Sequence, residues 1–305
     1  MLSIRRILWP TDFSASAEKA FPYAAALAHW HDAELHLLHV REGERQTDKA
    51  ADFPVSVDTL SALTEGGDAS SPVDVSALSL VQEQVDGLPP ADAIVSYADE
   101  HDMDLVVAGT HGRRGVRRLF LGSVAEEVLR RARCPVLTVR ADEAVASAWN
   151  VHNILVPVDF SSGADQAVRH ARELALTYGA QVTLLHAVEE VIYPSAYGME
   201  MADAPGPEIV HRIENTLAAM AREDIGYEHV VVEAVVGYAS SAILDHQQEH
   251  DVDLIVISTH GRSGLERLLL GSVTERVLRR ATTPVFVVKP FGKSLLSGAA
   301  SSGES

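Results

Sequence analysis

The sequence predicts an α/β protein of two tandem, doubly wound, mostly parallel five-stranded sheets flanked by helices. Three observations carry this. The second half of the chain repeats the first; each half alternates short, continuous apolar runs with stretches apolar at helical spacing; and the same glycine-spaced loop follows a strand pattern in both halves.

The duplication is read directly. "RRILWPTDFS" (5–14) matches "HNILVPVDFS" (152–161), "AELHLLHV" (33–40) matches "AQVTLLHA" (180–187), and "HDMDLVVAGTHG" (101–112) matches "HDVDLIVISTHG" (250–261). Over Asp104–Pro135 against Asp253–Pro284, roughly two thirds of positions are identical, a level that chance similarity between motifs does not reach. The halves divide as 1–140 and 151–290, with a small, polar linker at 141–150 and a disordered tail expected over 291–305.

The elements follow in order. "RRILWPTDF" and "HNILVPVDF" are apolar strands ended by Pro and Asp. "SAEKAFPYAAALAHWH" and "SGADQAVRHARELALTYG" are helices, the second closing at Gly179 with a left-handed C-cap. "LHLLHV", "DLVVAG" and "PVLTV" are continuous apolar runs, as strands buried on both faces require. Segments 42–76 and 189–206 differ between the halves, and "GGDASS" (66–71) reads as a mobile loop. Strands joined by helical crossovers bind ligands beyond their carboxyl ends, where the strand order reverses.

Composition limits the function. With 305 residues and 47% hydrophobic content the chain can bury two cores, and its net charge of −18, from 43 acidic and 25 basic residues, repels nucleic acid and anionic membranes. Cys134 is the one cysteine and lies in the strand pattern "RCPVLTV", so a buried structural role in a reducing compartment is expected. No apolar run approaches the ~20 residues of a membrane span, and "MLSIRRILWPTDF" has too short an apolar stretch for a secretory signal, so a cytoplasmic location is expected.

The repeated loop runs Gly109-x-x-Gly112, nine residues, then Gly122-Ser123. Glycines after a strand allow close backbone approach to a ligand, and a Gly-Ser step opening a helix offers N–H groups and a positive dipole end to an anion. The competing reading is purely structural: Ser123-Val-Ala-Glu126 and Ser272-Val-Thr-Glu275 have capping-box spacing. Asp12 and Asp159 fall beside these loops in a doubly wound sheet. Each can hold a ribose hydroxyl, an adenine amino group or a divalent cation, or cap the next helix in competition with Ser14 or Ser161. His111 and His260 either contact the ligand or order the loop. Arg113, Arg114, Arg117 and Arg118 either stabilise phosphate charge or form a solvated or inter-subunit face, reduced in the second half to Arg262 and Arg267. No G-x-x-x-x-G-K-[ST] or G-x-G-x-x-G is present. His246 and His250 have metal-ligand spacing on a helix, but Tyr97 and His101 stand at the equivalent places. His36 and His39 face opposite sides of a strand.

"PTDFS" after the first strand, combined with G-x2-G-x9-G-S before the last helix, resembles the ATP-binding branch of the universal stress protein family, over nearly the whole chain in two copies. The resemblance implies a Rossmann-like fold and an adenine nucleotide (ATP, or ADP or AMP) between the first and fourth strands. Its aligned positions are Pro10, Thr11, Asp12 and Val40 around adenine and ribose, and Ala108, Gly109, His111, Gly112, Gly122, Ser123 and Val124 around ribose and phosphates. In the second copy they are Pro157, Val158, Asp159, Ala187, Ile257, Ser258, Gly261, Gly271, Ser272 and Val273, with Asp12 and Asp159 the candidates for a Mg-nucleotide. Ser258 in place of Gly109 and Ala187 in place of Val40 predict a weaker second site. The resemblance further implies a regulator or sensor of stress, pairing of "PVLTV" with "PVFVV" within the chain, and dimerisation of chains. A chaperone-like scaffold with merely structural glycine loops, and a slow Mg-dependent ATPase, are the alternatives.

Overall fold

The structure, a computed structural model, describes residues 2–41, 53–64, 73–110, 121–140, 149–189, 206–259 and 270–296. The first half comprises β1 (Arg6–Thr11), α1 (Ala15–His31), β2 (Glu34–Arg41), α2 (Val57–Thr64), β3 (Leu80–Asp86), α3 (Pro90–Glu100), β4 (Leu105–Gly109), α4 (Ser123–Arg131) and β5 (Val136–Val139). The second half repeats the pattern: β6 (Asn153–Pro157), α5 (Ser162–Tyr178), β7 (Gln181–Val188), α6 (Pro207–Met220), β8 (Val230–Val236), α7 (Ala239–Glu249), β9 (Leu254–Ser258), α8 (Ser272–Arg280) and β10 (Val285–Val288). No helix among the described residues is long and apolar enough to cross a membrane.

The two five-stranded sheets are halves of one, in the order β3-β2-β1-β4-β5-β10-β9-β6-β7-β8. Within each half every pair is parallel, and the junction is antiparallel, with Val285 opposite Thr138, Phe286 opposite Leu137 and Val287 opposite Val136. This is the pairing of last strands that the sequence resemblance implies. Its physical reason is that "VLTV" and "VFVV" are buried at every position, and two apolar edges that satisfy each other's backbone groups leave neither open to solvent.

Strand alternation sorts the core into two layers. Ile7, Trp9, Leu35, Leu37, Leu105 and Val107 face the alanine-rich α1 on one side, and Leu8, Leu38, Val106 and Val136 face α3 and α4 on the other. As predicted, α5 ends at Gly179 in the left-handed region, φ 70°.

Two segments, the linker and the tail, depart from the sequence reading. Trp149, inside the expected small, polar linker, is buried at 5% exposure and packs edge-on to Tyr23 at 5.1 Å and over Trp30 at 6.2 Å, while Trp30 also meets Tyr178 of the second half at 4.9 Å. Residues 291–296, expected to be disordered, return to the first half. Leu295 is 1% exposed, Ser3 N donates to its carbonyl at 2.9 Å, and Leu2 bridges Leu296. Lys293 Nζ lies 2.7 Å from both Asp102 Oδ1 and Asp104 Oδ1. A glycine- and serine-rich composition had hidden one well-placed leucine and one lysine.

Donation from Lys293 holds the Asp102 carboxyl below its ordinary pKa. Burial pulls the Lys293 pKa down, but the hydrogen bonds to Asp102 and Asp104 outweigh it and leave the pKa raised. The depressed Asp contributes stability above the unfolded carboxylate value that is lost as pH falls through its folded pKa; the raised Lys contributes stability below the unfolded amine value that is lost as pH rises through its own. Lys293→Ala is therefore expected to lower Tm by a few degrees from about pH 5 to about pH 9, with the gap narrowing toward about pH 3 and about pH 11. A pH-independent gap in thermal scans would show that the ion pairs are not the cause.

Candidate functional site

The candidate site is set by where two hydrogen-bond ladders stop. β1 pairs with β4 only at Ile7–Leu105 and Leu8–Val106, and β6 with β9 only at Ile154–Leu254 and Leu155–Ile255. Beyond those residues the strands part, opening a crevice at their carboxyl ends at the point where the strand order reverses. Pro10, in β1, has no N–H to offer a ladder.

A strained turn borders each crevice. Phe13 and Phe160 both sit at φ 57°, a left-handed conformation costly for an aromatic residue and held only where neighbours over-determine it. The neighbours are identifiable. Asp12 Oδ1 accepts from Ser14 N at 3.0 Å, and Asp159 Oδ1 accepts from Ser161 N at 3.0 Å and from the Ser161 hydroxyl at 2.5 Å. His39 Nδ1 lies 2.9 Å from the Thr11 carbonyl and His186 Nδ1 2.6 Å from that of Val158. Since a carbonyl only accepts, Nδ1 carries the proton in both rings. Each imidazole also packs on the strained phenylalanine, with centroids 4.8 Å apart in both halves. Thr11 Oγ1 accepts from Phe13 N at 3.0 Å, a bond that Val158 cannot reproduce.

Of the competing caps, the serines hold the position: Ser14 Oγ accepts from Ala17 N at 3.3 Å and Ser161 Oγ from Ala164 N at 3.2 Å. The aspartates are left to brace the turn at the mouth of the crevice. Sequence reading missed His39 and His186 as partners of this turn. Their repetition one residue before Val40 and Ala187 was the available signal.

The far end of each glycine loop is the start of α4 or of α8. Gly122 N donates to the Thr110 carbonyl at 2.6 Å and Gly271 N to that of Thr259 at 2.8 Å, closing each glycine loop at its base. A Cβ on Gly271 would stand 3.1 Å from the Thr259 oxygen, so the closure favours glycine. The capping boxes expected from Ser123 and Ser272 do not form. Gly122 and Gly271, with ψ 140° and 143°, are the N-caps, the serines are already helical, and a glycine N-cap brings no side-chain oxygen of its own to either helix. Placing the extended residue one position earlier removes the serine hydroxyl from the geometry a cap needs.

The residues singled out from the sequence fall as follows. Pro10 and Thr11 end β1, Asp12 follows it, Val40 is the penultimate residue of β2, Ala108 and Gly109 end β4, and Gly122, Ser123 and Val124 open α4. Pro157 ends β6 and Val158 and Asp159 follow it, while Ala187, Ile257, Ser258, Gly271, Ser272 and Val273 occupy the same places as their counterparts. His111, Gly112, Arg113, Arg114, Arg117, Arg118, His260, Gly261, Arg262 and Arg267 lie outside the described residues.

Gly109 is required by packing whatever else its spacing suggests. A Cβ there would meet the Ser16 carbonyl oxygen of α1 at 2.3 Å, so strand-to-helix contact by itself calls for glycine. Ser258, its counterpart, is buried at 7% exposure, and the helical residue equivalent to Ser16 is Gly163. One hydroxymethyl group is carried by the helix in the first half and by the strand in the second.

Cys134 offers no nucleophile: it is 3% exposed, and burial pushes its thiol up to about 12. His36 and His39 serve opposite faces as read, with His36 meeting Tyr97 Oη at 2.8 Å and Glu34 Oε1 at 2.6 Å.

Comparison with known proteins agrees with this architecture. The model of the universal stress protein family matches residues 3–140 and again 150–289. A universal stress protein of Mycobacterium tuberculosis (strain H37Rv) is 31% identical over 204 residues, 66% of this chain and 66% of its own length. One from Mycolicibacterium smegmatis is 28% identical over 297 residues, covering 93% of this chain and 97% of its own. The crystal structure of a universal stress protein from Archaeoglobus fulgidus, 24% identical, shares the fold with a TM-score of 0.62 over 93% of this chain and 98% of that one. With two consecutive matches of the family model, and a fold that repeats at the same boundaries, the chain belongs to the universal stress protein family and carries its domain twice.

Proposed function

We propose that each half binds one adenine nucleotide, ATP or its ADP or AMP relatives, in the crevice between β1 and β4 or between β6 and β9. The observation that carries this reading is that, in both halves, a ladder that stops after two residues is accompanied by a strained Asp turn after the first strand and by a helix that opens on a glycine N-cap after the fourth. The positive end of a helix suits phosphates, and a carboxylate after the first strand suits a ribose hydroxyl or a magnesium ion carried by the nucleotide. Val40 and Ala187 supply the ends of β2 and β7, where backbone groups meet a base edge. The chain acts as a cytoplasmic regulator or sensor in the stress response and not as a catalyst with rapid turnover, because neither half carries a P-loop lysine. Chains pair further with one another.

The test is to denature the purified protein and quantify released nucleotide per chain, then titrate nucleotide into Asp12→Ala and Asp159→Ala. Two nucleotides per chain are expected, with each substitution weakening one site by about tenfold or more through loss of one or two hydrogen bonds to a charged group. Release of ADP, magnesium-dependent and lost in Asp12→Ala, would turn the reading toward a slow ATPase. No nucleotide, and no binding with magnesium, would leave the crevices as structural features of a scaffold.

A further inference from the structure

We propose a second ligand site, for a zinc-class divalent cation, formed by Glu233 of β8 with His246 and His250 of α7. Among the described residues these three side chains form the one group of its kind whose ligand atoms all lie within 4.8 Å of one another. His246 Nδ1 and Glu233 Oε2 are 3.0 Å apart, and the two imidazole centroids are 4.1 Å apart. A cation bound at about 2.1 Å to a nitrogen and an oxygen holds them roughly 3.0 to 3.4 Å apart, for ligand angles from octahedral to tetrahedral. The pair therefore needs little movement to accept the ion. His250 is exposed and its ring closes from the solvent side, while His246, 8% exposed, is fixed by the packing of α7 on the sheet.

The comparison between halves shows that this arrangement is not inherited from the fold. Register and helix position place Glu83, Tyr97 and His101 where the second half has Glu233, His246 and His250. In the first half Tyr97 is hydrogen-bonded to His36 at 2.8 Å and stacked on His101 at 3.9 Å, and His101 Nδ1 meets the Tyr97 carbonyl at 3.1 Å. That cluster is closed by its own bonds. In the second half the tyrosine has become His246, and Thr183 stands at the position of His36. The two exchanges remove a phenol and its hydrogen-bond partner together and bring a metal-binding side chain to the carboxylate.

Two imidazoles and one carboxylate select zinc and its transition-metal neighbours over magnesium or calcium, which take oxygen donors. Three protein ligands leave a fourth position for water. On binding, the cation takes the Nδ1 lone pair of the neutral His246 ring and an oxygen of Glu233; the ring's one N–H proton then resides on Nε2 by exchange through solvent, with no net proton released. α7 runs antiparallel to the strands it connects, so its carboxyl-terminal end lies toward their amino ends, away from the proposed nucleotide crevices. The bound ion ties α7 to β8, the outermost strand on that side of the sheet.

The experiment uses the full chain, stripped with chelator and dialysed. Zn2+ is titrated against a chromophoric chelator, Co2+ is followed by its visible absorption, and thermal unfolding is recorded with and without Zn2+. One Zn2+ per chain is expected, unchanged by excess Mg2+, with Tm raised on binding. His250→Ala, an exposed change that leaves the core intact, and Glu233→Gln should each weaken Zn2+ binding roughly tenfold or more and abolish the Tm shift. His246→Tyr, which restores the first-half residue, should do the same. Asp12→Ala and Asp159→Ala should leave the zinc stoichiometry untouched, separating this site from the nucleotide reading. Equal zinc binding by wild type and His250→Ala, which would mark diffuse binding by the chain's 14 histidines, overturns the proposal, as does no binding by the wild type.

Discussion

Gly109→Ala is expected to destabilise the protein by about 3 kcal/mol, at the upper end of what overpacking costs. The added Cβ would stand 2.3 Å from the Ser16 carbonyl oxygen and 2.6 Å from its carbon, contacts that no rotamer change relieves because both atoms are helix backbone. Nor can α1 retreat freely. Its Ala17 carbonyl accepts from the indole of fully buried Trp9 at 3.0 Å, and its first turn is capped by Ser14. Any retreat pulls on the turn containing Asp12 and strained Phe13, so the first nucleotide site should weaken along with the fold. Ser16→Gly in the same chain should recover only part of the loss, since it removes the Oγ contact at 2.8 Å and leaves the carbonyl contact in place. In the second half Ser258→Gly should cost no more than about 1 kcal/mol, the ordinary entropic penalty of a strand glycine. Urea unfolding of the three variants checks the series, and a Gly109→Ala loss within about 0.5 kcal/mol of zero would show that strand and helix are not in the contact described.

Phe286→Ala should cost about 3 to 5 kcal/mol, as truncation of a fully packed aromatic side chain generally does. Phe286 is 2% exposed, lies opposite Leu137 of the other half, and has the His170 ring 6.4 Å away. Its cavity would open at the antiparallel seam where β5 pairs with β10 and joins the two five-stranded halves, so the loss should appear as uncoupling as well as destabilisation. Calorimetry is expected to show the wild-type transition lowered and split, with the second half melting first. Leu176→Ala, at a residue 48% exposed, should shift the transition by less than about 0.5 kcal/mol. A single sharp transition for Phe286→Ala, lowered but unsplit, would mean that the aromatic contacts of Trp30, Trp149 and Tyr178 suffice to couple the halves.

Much of the site was legible because the chain states it twice. Asp12 and Asp159, the strand ends and the helix openings fall at matching places, and repetition separates a built feature from an accident of composition. The capping boxes misled because S-x-x-E spacing is indifferent to a shift of one residue, whereas cap geometry is not: the extended conformation sits on Gly122 and Gly271. At Gly109 the packing requirement was hidden for a similar reason. A glycine is an absence, and which neighbour requires the absence depends on a helix 93 positions earlier in the sequence.

The sequence by itself determined the duplication, the α/β class, the order of strands and helices, the apolar edges that join the halves, and the family. These are properties of periodicity and identity, written locally and read locally. Only the tertiary structure decided that the ladders between β1 and β4 and between β6 and β9 stop after two residues. It alone showed that His39 and His186 hold strained phenylalanines beside each aspartate, that Leu295 meets Ser3 and Lys293 meets Asp102 and Asp104, and that Glu233 meets two histidines. Each of these depends on distances between residues far apart in the chain, which packing of the two core layers sets and which no local pattern encodes.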